Sequence, residues 1–143
     1  MKQTLVILLG ILFVSCNTST KKENQIFKVI PLEVSEVSFI NKIEESEALN
    51  YFTYPYLYMG GGSAIGDFNN DGLEDVFFTG NQVSNKLYLN NGNFKFQDMT
   101  EKAGVTGDNR WYTGVSLVDI NADGWMDIYL SVAGPSEPRT NEL

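Results

Sequence analysis

The chain has 143 residues, of which 43% are hydrophobic, so it has the size and apolar content of about one globular domain. Its formal net charge of -8 at pH 7 opposes binding to the phosphate backbone of nucleic acids and favours metal ions as partners. With no histidine and a single cysteine, it excludes Ser-His-Asp and Cys-His catalytic centres, histidine zinc sites and an internal disulfide.

Residues 1–15 have the features of a bacterial lipoprotein signal peptide. An apolar run of ten residues follows the basic start at Lys2, and it is too short to span a bilayer as a helix, which takes about 20 residues. The end of this run together with the next two residues, Leu12–Cys16, resembles the lipobox, with Phe13 where leucine is usual, and predicts lipidation of Cys16 after cleavage. The alternative is an ordinary cleaved signal peptide followed by a chance cysteine.

Residues 16–34 are interpreted as the lipidated N-terminus and a tether, because the stretch from 17 to 25 is polar and non-periodic. Asn17 follows the cysteine, in place of the aspartate that commonly retains lipoproteins at the inner membrane. This favours the outer membrane or the cell surface. The sequence therefore predicts an exported protein that contacts the membrane through an N-terminal lipid anchor.

The segment before the first repeat carries weaker patterns. Val34–Ile40 has the composition of a strand, and Ile43–Leu49 that of one or two helical turns. An aromatic stripe follows, formed by Tyr51, Phe52, Tyr54, Tyr56 and Tyr58. It is interpreted as packing against a sheet, with a sugar-binding platform as the alternative, and Trp111 and Trp125 are expected to pack as well.

An aspartate-rich loop occurs twice, at 67–75 and 119–127, with a shift of 52 residues between the copies. Both copies have Asp, Asn, Asp, Gly and Asp at offsets 0, 2, 4, 5 and 8, and their apolar flanks predict strands. An EF-hand starts in the same way, but it has a glutamate at loop position twelve and a helix on each side. Position twelve is Phe78 or Leu130, so the EF-hand is excluded.

Each loop is predicted to bind about one calcium ion, because calcium takes about six to eight hard oxygen ligands that a tight loop can supply from alternate residues. The ligands expected in the first loop are Asp67, Asn69, Asp71, the backbone carbonyl of Leu73, and Asp75. Those expected in the second loop are Asp119, Asn121, Asp123, the backbone carbonyl of Trp125, and Asp127. The alternative is a pair of Asp-rich and Asn-rich turns that bind no metal.

The stretch between the loops reads as short strands and turns. Strands are predicted at Asp75–Thr79 and Lys86–Leu89, followed by a tight Asn-Gly hairpin within 90–93. Phe94–Gln97 alternates apolar and polar residues like a half-buried strand, and Thr100–Gly104 resembles a capped helical turn. One repeat is therefore a run of antiparallel strands with one metal loop, which is the form of a propeller blade.

The glycines at 60–62, the two aspartate loops and Asn85–Gly92 resemble FG-GAP/VCBS repeats. From about Phe39 onward the chain is similar to the cartilage acidic protein/UnbV-type (ASPIC) family of Bacteroidetes. This resemblance implies a calcium-binding β-propeller that acts as a surface or secreted binding protein. The fold expected for residues 35–143 is therefore all-β, with two antiparallel blades of an incomplete propeller.

The C-terminal residues Asn141–Leu143 match Asn85–Leu87, so the chain stops where a strand begins. Propellers close with about four to eight blades, and the chain is therefore expected to be an N-terminal fragment of a longer protein. A natural two-repeat domain is the alternative. Because an open array leaves strand edges uncovered, the chain alone is expected to be poorly stable.

The predicted function is a surface binding or adhesion module with structural calcium, no other cofactor and a glycan or envelope protein as ligand. The alternatives are a carbohydrate-active enzyme of the envelope, or a non-catalytic part of one, and a spacer without ligand. Once the loop aspartates are assigned to calcium, Glu44, Glu45 and Glu47 remain for catalysis, and such residues more commonly form a solvated face.

Overall fold

The computed structural model describes residues 26–108, 110–135 and 140–143, so the predicted signal peptide and Cys16 lie outside the described residues. The first sheet has four antiparallel strands in chain order, β1 (Ser63–Gly66), β2 (Asp75–Phe78), β3 (Lys86–Asn90) and β4 (Phe96–Asp98). The second sheet pairs β5 (Tyr112–Val118) with β6 (Asp127–Val132). Two single helical turns, α1 (Leu32–Ser35) and α2 (Thr100–Ala103), complete the described elements. The expectation of antiparallel β-sheets is confirmed.

The two hairpins that carry the aspartate loops have the same register. Ser63–Phe78 and Gly66–Asp75 are paired in the first hairpin, and Val115–Leu130 and Val118–Asp127 are paired at the equivalent positions of the second. Each residue of the second hairpin lies 52 positions after its counterpart. Strands therefore flank both loops, as predicted, and an EF-hand arrangement with flanking helices is absent from this described part of the chain.

The last residues of the chain take the position that β3 has in the first repeat. Glu142 bridges to β6 as Lys86 pairs with β2. The side chain of Asn141 accepts a main-chain hydrogen bond at the end of β6 (2.9 Å), and that of Asn85 accepts one just after β2 (3.0 Å). The predicted match between 141–143 and 85–87 is confirmed.

The hydrophobic core lies where the two sheets meet. Phe77 in β2 is completely buried, and the cluster around it takes side chains from both sheets. Its other buried members are Leu87, Tyr112, Leu130 and Val132. Burying one such large apolar side chain stabilises a fold by about 1.5–3 kcal/mol. Because the cluster contains side chains from both sheets, its burial holds the two repeats together as one folded unit.

Gly62 permits the close approach of the two sheets, which touch along β1 and β5. A Cβ atom at this position would lie 2.8 Å from the backbone nitrogen of Val115 and 2.9 Å from the Cα of Gly114. Backbone atoms cannot move aside as a flexible side chain can. Packing therefore requires glycine at position 62 of the predicted glycine run.

Two predictions for the segment before the first sheet are wrong. Val34–Ile40 is not a strand, because α1 ends at Ser35 and the following residues pair with no sheet edge. Its Phe39 instead stacks on Phe78 of β2, with ring centroids 5.0 Å apart. Ile43–Leu49 forms no helical turn. Packing against the sheet therefore replaces regular structure in this segment.

The turn between β3 and β4 is longer than predicted. The N–H of Asn91 donates to the carbonyl of Lys95 (2.7 Å), and Gly92, Asn93 and Phe94 all have positive φ. Three left-handed residues need a larger turn than a two-residue hairpin. Phe94 therefore lies in the turn, with its side chain 61% exposed, and the strand begins two residues later than predicted.

The predicted helical turn is present as α2, and the carboxylate of Asp98 binds its first residue, Thr100. The Asp98 carboxylate accepts hydrogen bonds from the N–H and the hydroxyl of Thr100 (3.0 and 2.5 Å), and it lies 2.8 Å from the ammonium of Lys86. Burial raises the pKa of Asp98, but the hydrogen bonds from Lys86 and Thr100 outweigh burial and hold the pKa below its usual value.

We expect Asp98→Ala to lower the free energy of unfolding by about 1 kcal/mol at neutral pH, the typical net contribution of a side-chain hydrogen bond. Because the folded-state pKa is the lower one, this stabilisation is present above the unfolded-state pKa and is lost as pH falls through the folded-state pKa. Urea unfolding of wild type and Asp98→Ala at about pH 7 and about pH 2 measures the difference in their free energies of unfolding, and this difference should disappear at the lower pH. Lys102→Ala, on the exposed side of the same turn, is the control and should change little. If Asp98→Ala remains less stable than wild type at about pH 2, the ionised carboxylate of Asp98 is not the source of the stabilisation.

No helix among the described residues has both the length and the hydropathy to cross a bilayer.

Candidate metal-binding loops

The first aspartate loop connects β1 to β2, and its polar side chains bind the main chain of the loop itself. The two oxygens of Asp67 accept hydrogen bonds from the N–H groups of Asp71 (3.0 Å) and Gly72 (2.8 Å). The Asn69 side chain accepts from the N–H of Asp71 (3.1 Å) and donates to its carboxylate (2.8 Å). Asp71 accepts from the N–H of Leu73 (2.8 Å). These bonds hold the four predicted ligand positions of 67–73 in one compact turn.

The second loop connects β5 to β6 and has the same set of hydrogen bonds. Asp119 binds the N–H groups of Asp123 (3.0 Å) and Gly124 (2.9 Å). Asn121 accepts from Asp123 (3.1 Å) and donates to it (2.9 Å), and Asp123 accepts from the N–H of Trp125 (2.9 Å). The two loops are therefore structural copies as well as sequence copies.

Two positions in each loop have left-handed backbone. The glycine at offset 5 has φ of 85° at Gly72 and 87° at Gly124, which is the role predicted for it. At offset 3, Asn70 and Ala122 have φ of 56° and 59°. Asparagine tolerates this conformation, whereas alanine is strained there by roughly 1–2 kcal/mol. The second loop therefore keeps the shared geometry in spite of an unfavourable residue.

The last aspartate of each loop reaches back to the loop start. Asp75 accepts a hydrogen bond from the N–H of Phe68 (2.9 Å), as Asp127 does from Ile120 (3.0 Å). Asp75 is completely buried, and its other oxygen accepts the N–H of Asn90 in β3 (2.7 Å). The role of Asn90 was missed at the sequence level, because a contact across 15 residues leaves no local signal.

The carboxylates of the first loop affect one another electrostatically. Burial raises the pKa of Asp75, and the negative charges of Asp71 and Asp67 raise it further, while the N–H groups of Asn90 and Phe68 act in the opposite direction. A cation bound in the loop would offset both the burial of the charged form and the repulsion between the carboxylates.

The structure thus places the predicted side-chain ligands of each loop in one turn. There their oxygens accept hydrogen bonds from main-chain N–H groups of the loop. In the described part of the chain, no three acidic side chains converge as a metal site requires. The donor set still fits calcium, because all donors are oxygens and a carboxylate oxygen that accepts one N–H retains another lone pair.

The two loops lie side by side at the same end of the sheets. The Asn70 side chain donates a hydrogen bond to the carbonyl of Gly124 (3.2 Å). Asp67 of the first loop and Asp119 of the second also line a common cavity of about 460 Å³. The sequence predicts two separate sites, because the repeated pattern contains no information on contact between the loops.

The glutamates considered for catalysis are all exposed. The hydrogen bond and the charge of Lys42 lower the pKa of Glu44, whereas a general acid needs a raised pKa. Glu45 accepts a hydrogen bond from the hydroxyl of Tyr58 (2.7 Å), and Glu47 is exposed. These contacts are typical of a solvated surface.

The aromatic stripe is largely exposed, so the packing prediction is wrong for most of its members. The exposed residues are Tyr51 (57%), Phe52 (93%), Tyr56 (61%) and Tyr58 (63%). The segment forms a series of turns, so its side chains do not share one buried face. Trp111 is buried as predicted and packs against Tyr54, but Trp125 is 50% exposed in the second loop.

Comparison with known proteins finds a family match that includes both loops. Residues 67–130 match the model of the FG-GAP-like repeat family. The chain is 35% identical to cartilage acidic protein 1 of Mus musculus over 69 residues, which is 48% of this chain and 11% of that protein. It is 36% identical to cartilage acidic protein 1 of Xenopus tropicalis over 72 residues, which is 50% of this chain and 11% of that protein.

A further relative is integrin alpha-8 of Gallus gallus, which is 27% identical over 123 residues and covers 76% of this chain and 11% of that protein. The chain thus spans 11% of the length of the curated relatives it matches.

Proposed function

We propose, from the match of residues 67–130 to the FG-GAP-like repeat family, that the chain is a calcium-stabilised binding or adhesion module. The observation that carries the proposal is the pair of aspartate loops with one hydrogen-bond pattern. Two oxygen-rich loops at the same end of adjacent sheets are better explained as structural calcium sites than as turns that bind no metal. The relationship to an integrin alpha chain supports binding rather than catalysis as the role of the module.

The two hairpins are proposed to be adjacent blades of a β-propeller. Their identical register and the packing of β1 beside β5 support this arrangement. The bridge from Glu142 to β6 adds the beginning of a third strand to the second sheet, as expected of a four-stranded blade. Since closure takes about four to eight blades, further repeats from a longer chain or from other copies would complete the ring.

Calcium in this proposal is structural. Each ion would be held by three carboxylates, so its two positive charges would leave a site with a net charge of about -1. The ions would order the loop end of each blade and couple it to the sheet through Asp75 and Asp127, which begin β2 and β6. The ligand of the module, a glycan or an envelope protein, would bind elsewhere on its surface.

A lipid anchor at Cys16 is proposed to hold the module at the outer membrane or the cell surface. The support is the position of the single cysteine of the chain, directly after Ser15 at the end of the apolar run. We expect wild type to incorporate a clickable fatty acid in cells and Cys16→Ser to incorporate none.

The control for this experiment is the double variant Cys16→Ser with Thr18→Cys, which restores a cysteine but displaces it from the lipobox. It should remain unlabelled. Equal labelling of wild type and Cys16→Ser would exclude Cys16 as the anchor.

A further inference from the structure

A cavity walled by aromatic rings lies at the end of the β5–β6 hairpin opposite to its aspartate loop. Its volume is about 320 Å³. Three rings line it together with smaller side chains: Tyr54, Tyr56 and Trp111, with Met59, Thr113 and Ala133. Thr113 is near the start of β5 and Ala133 follows β6, so the sheet forms the floor of this cavity.

The three rings, which we call the aromatic box, stand at steep angles to one another. Tyr54 lies edge to face with Tyr56, with centroids 5.9 Å apart and planes at 71°. It lies in the same way against Trp111, at 5.8 Å and 79°. Trp111 is buried on the sheet and fixes the box, while Tyr56 is exposed and forms its outer wall. The box therefore presents ring faces in several directions rather than one flat platform.

The chemistry of the lining favours a weakly hydrated cation. The face of an aromatic ring carries partial negative charge and attracts a cation within about 6 Å of the centroid. The lining contains no charged side chain, so an ammonium group with N–H bonds would lose water without gaining a charged partner. A quaternary ammonium group has no N–H to satisfy. A sugar would instead need a flat face and several hydrogen-bonding groups.

The surroundings of the aromatic box are electrostatically suited to such a cation. Trp111 also borders a larger polar cavity that is lined by Glu44, Glu45 and Lys42. Lys42 is paired with Glu44, so Glu45 leaves this side of the indole with excess negative charge. The net charge of -8 on the whole chain acts in the same direction.

We propose that the aromatic box of Tyr54, Tyr56 and Trp111 binds a quaternary ammonium group. The ligand class includes soluble trimethylammonium compounds and choline head groups of lipids. The site does not depend on calcium binding, because its residues belong to neither aspartate loop.

The test is a titration with choline, followed by tryptophan fluorescence. The protein is the full chain with Trp125→Phe, so that Trp111 is its single tryptophan. The comparison ligand is the neutral isostere of choline in which a tert-butyl group replaces trimethylammonium. Choline should bind about tenfold more tightly than this isostere, because only the cation gains from the ring faces. Ethanolamine, a primary ammonium compound, should also bind more weakly than choline.

Tyr56→Ala removes the exposed wall without touching the core and should weaken choline binding about fivefold or more. Tyr56→Phe should bind like the parent, and Tyr51→Ala, an exposed tyrosine outside the box, is the matched control. Cosedimentation of the Cys16→Ser chain with phosphatidylcholine vesicles, but not with phosphatidylethanolamine vesicles, would identify a lipid source of the head group.

Equal affinity for choline and the neutral isostere would overturn the proposal, because the cavity would then be merely apolar. Unchanged choline binding in Tyr56→Ala, or no saturable fluorescence change, would overturn it as well. Repeating the titration in EDTA keeps this result separate from the outcome for the aspartate loops.

Discussion

Calcium is expected to raise the melting temperature of the chain, and EDTA is expected to reverse the rise. An ion that binds only the folded state adds about 2.7 kcal/mol of stability at a hundredfold excess over its Kd. The physical reason lies in the loops, where burial and the charges of Asp71 and Asp67 already disfavour the ionised form of Asp75. Magnesium should stabilise much less, because it requires near-octahedral geometry and retains its waters.

Asp71→Ala and Asp123→Ala each remove one proposed ligand from one loop. Each variant should bind about one calcium ion fewer in a calorimetric titration and lose about half of the calcium-dependent rise in Tm. Glu74→Gln is the matched control, since it removes one charge from the first loop at a position outside the proposed ligand set. It should keep the stoichiometry of the parent chain.

The metal assignment is contradicted if calcium leaves the melting temperature unchanged, or if both aspartate variants behave like the parent chain. If Glu74→Gln loses as much as Asp71→Ala, net charge rather than ligation explains the effect. In either case the loops are turns stabilised by their own side-chain hydrogen bonds.

Phe77→Ala is expected to unfold most of the chain. Phe77 is completely buried in β2 and packs in a cluster that takes side chains from both sheets. Truncating a buried phenylalanine costs about 3–5 kcal/mol, and a small domain has a total stability of roughly 5–15 kcal/mol. Because an open pair of blades should lie at the lower end of this range, the loss leaves little or no margin.

The matched control is Phe94→Ala, which removes the same side chain from the exposed turn between β3 and β4. Its effect should stay within about 0.5 kcal/mol. Near-ultraviolet circular dichroism and urea unfolding in calcium measure both variants. A near-native melt of Phe77→Ala, or equal losses in both variants, would contradict the position of the core.

The aspartate loops and the strands next to them are determined by the sequence itself. Nearly every hydrogen bond that shapes the first loop joins residues at most seven positions apart, so the repeated pattern contains both partners of each bond. The predicted strands Asp75–Thr79 and Lys86–Leu89 each differ from β2 and β3 by one residue. The helical turn at α2 is likewise a local structure, formed by Asp98 and the residues that follow it.

The packing of the segment before the first sheet and the contact between the two loops depend on residues that are far apart in the chain. Phe39 stacks on Phe78, Glu44 donates its main-chain N–H to Gln82, 38 positions away, and Asn70 reaches Gly124 across 54 positions. Local propensity for strand or helix is weak, about 1 kcal/mol or less per residue, and such long-range contacts override it. The aromatic box is also formed by long-range contact, because two of its rings come from the turns at 51–59 and the third from Trp111, directly before β5.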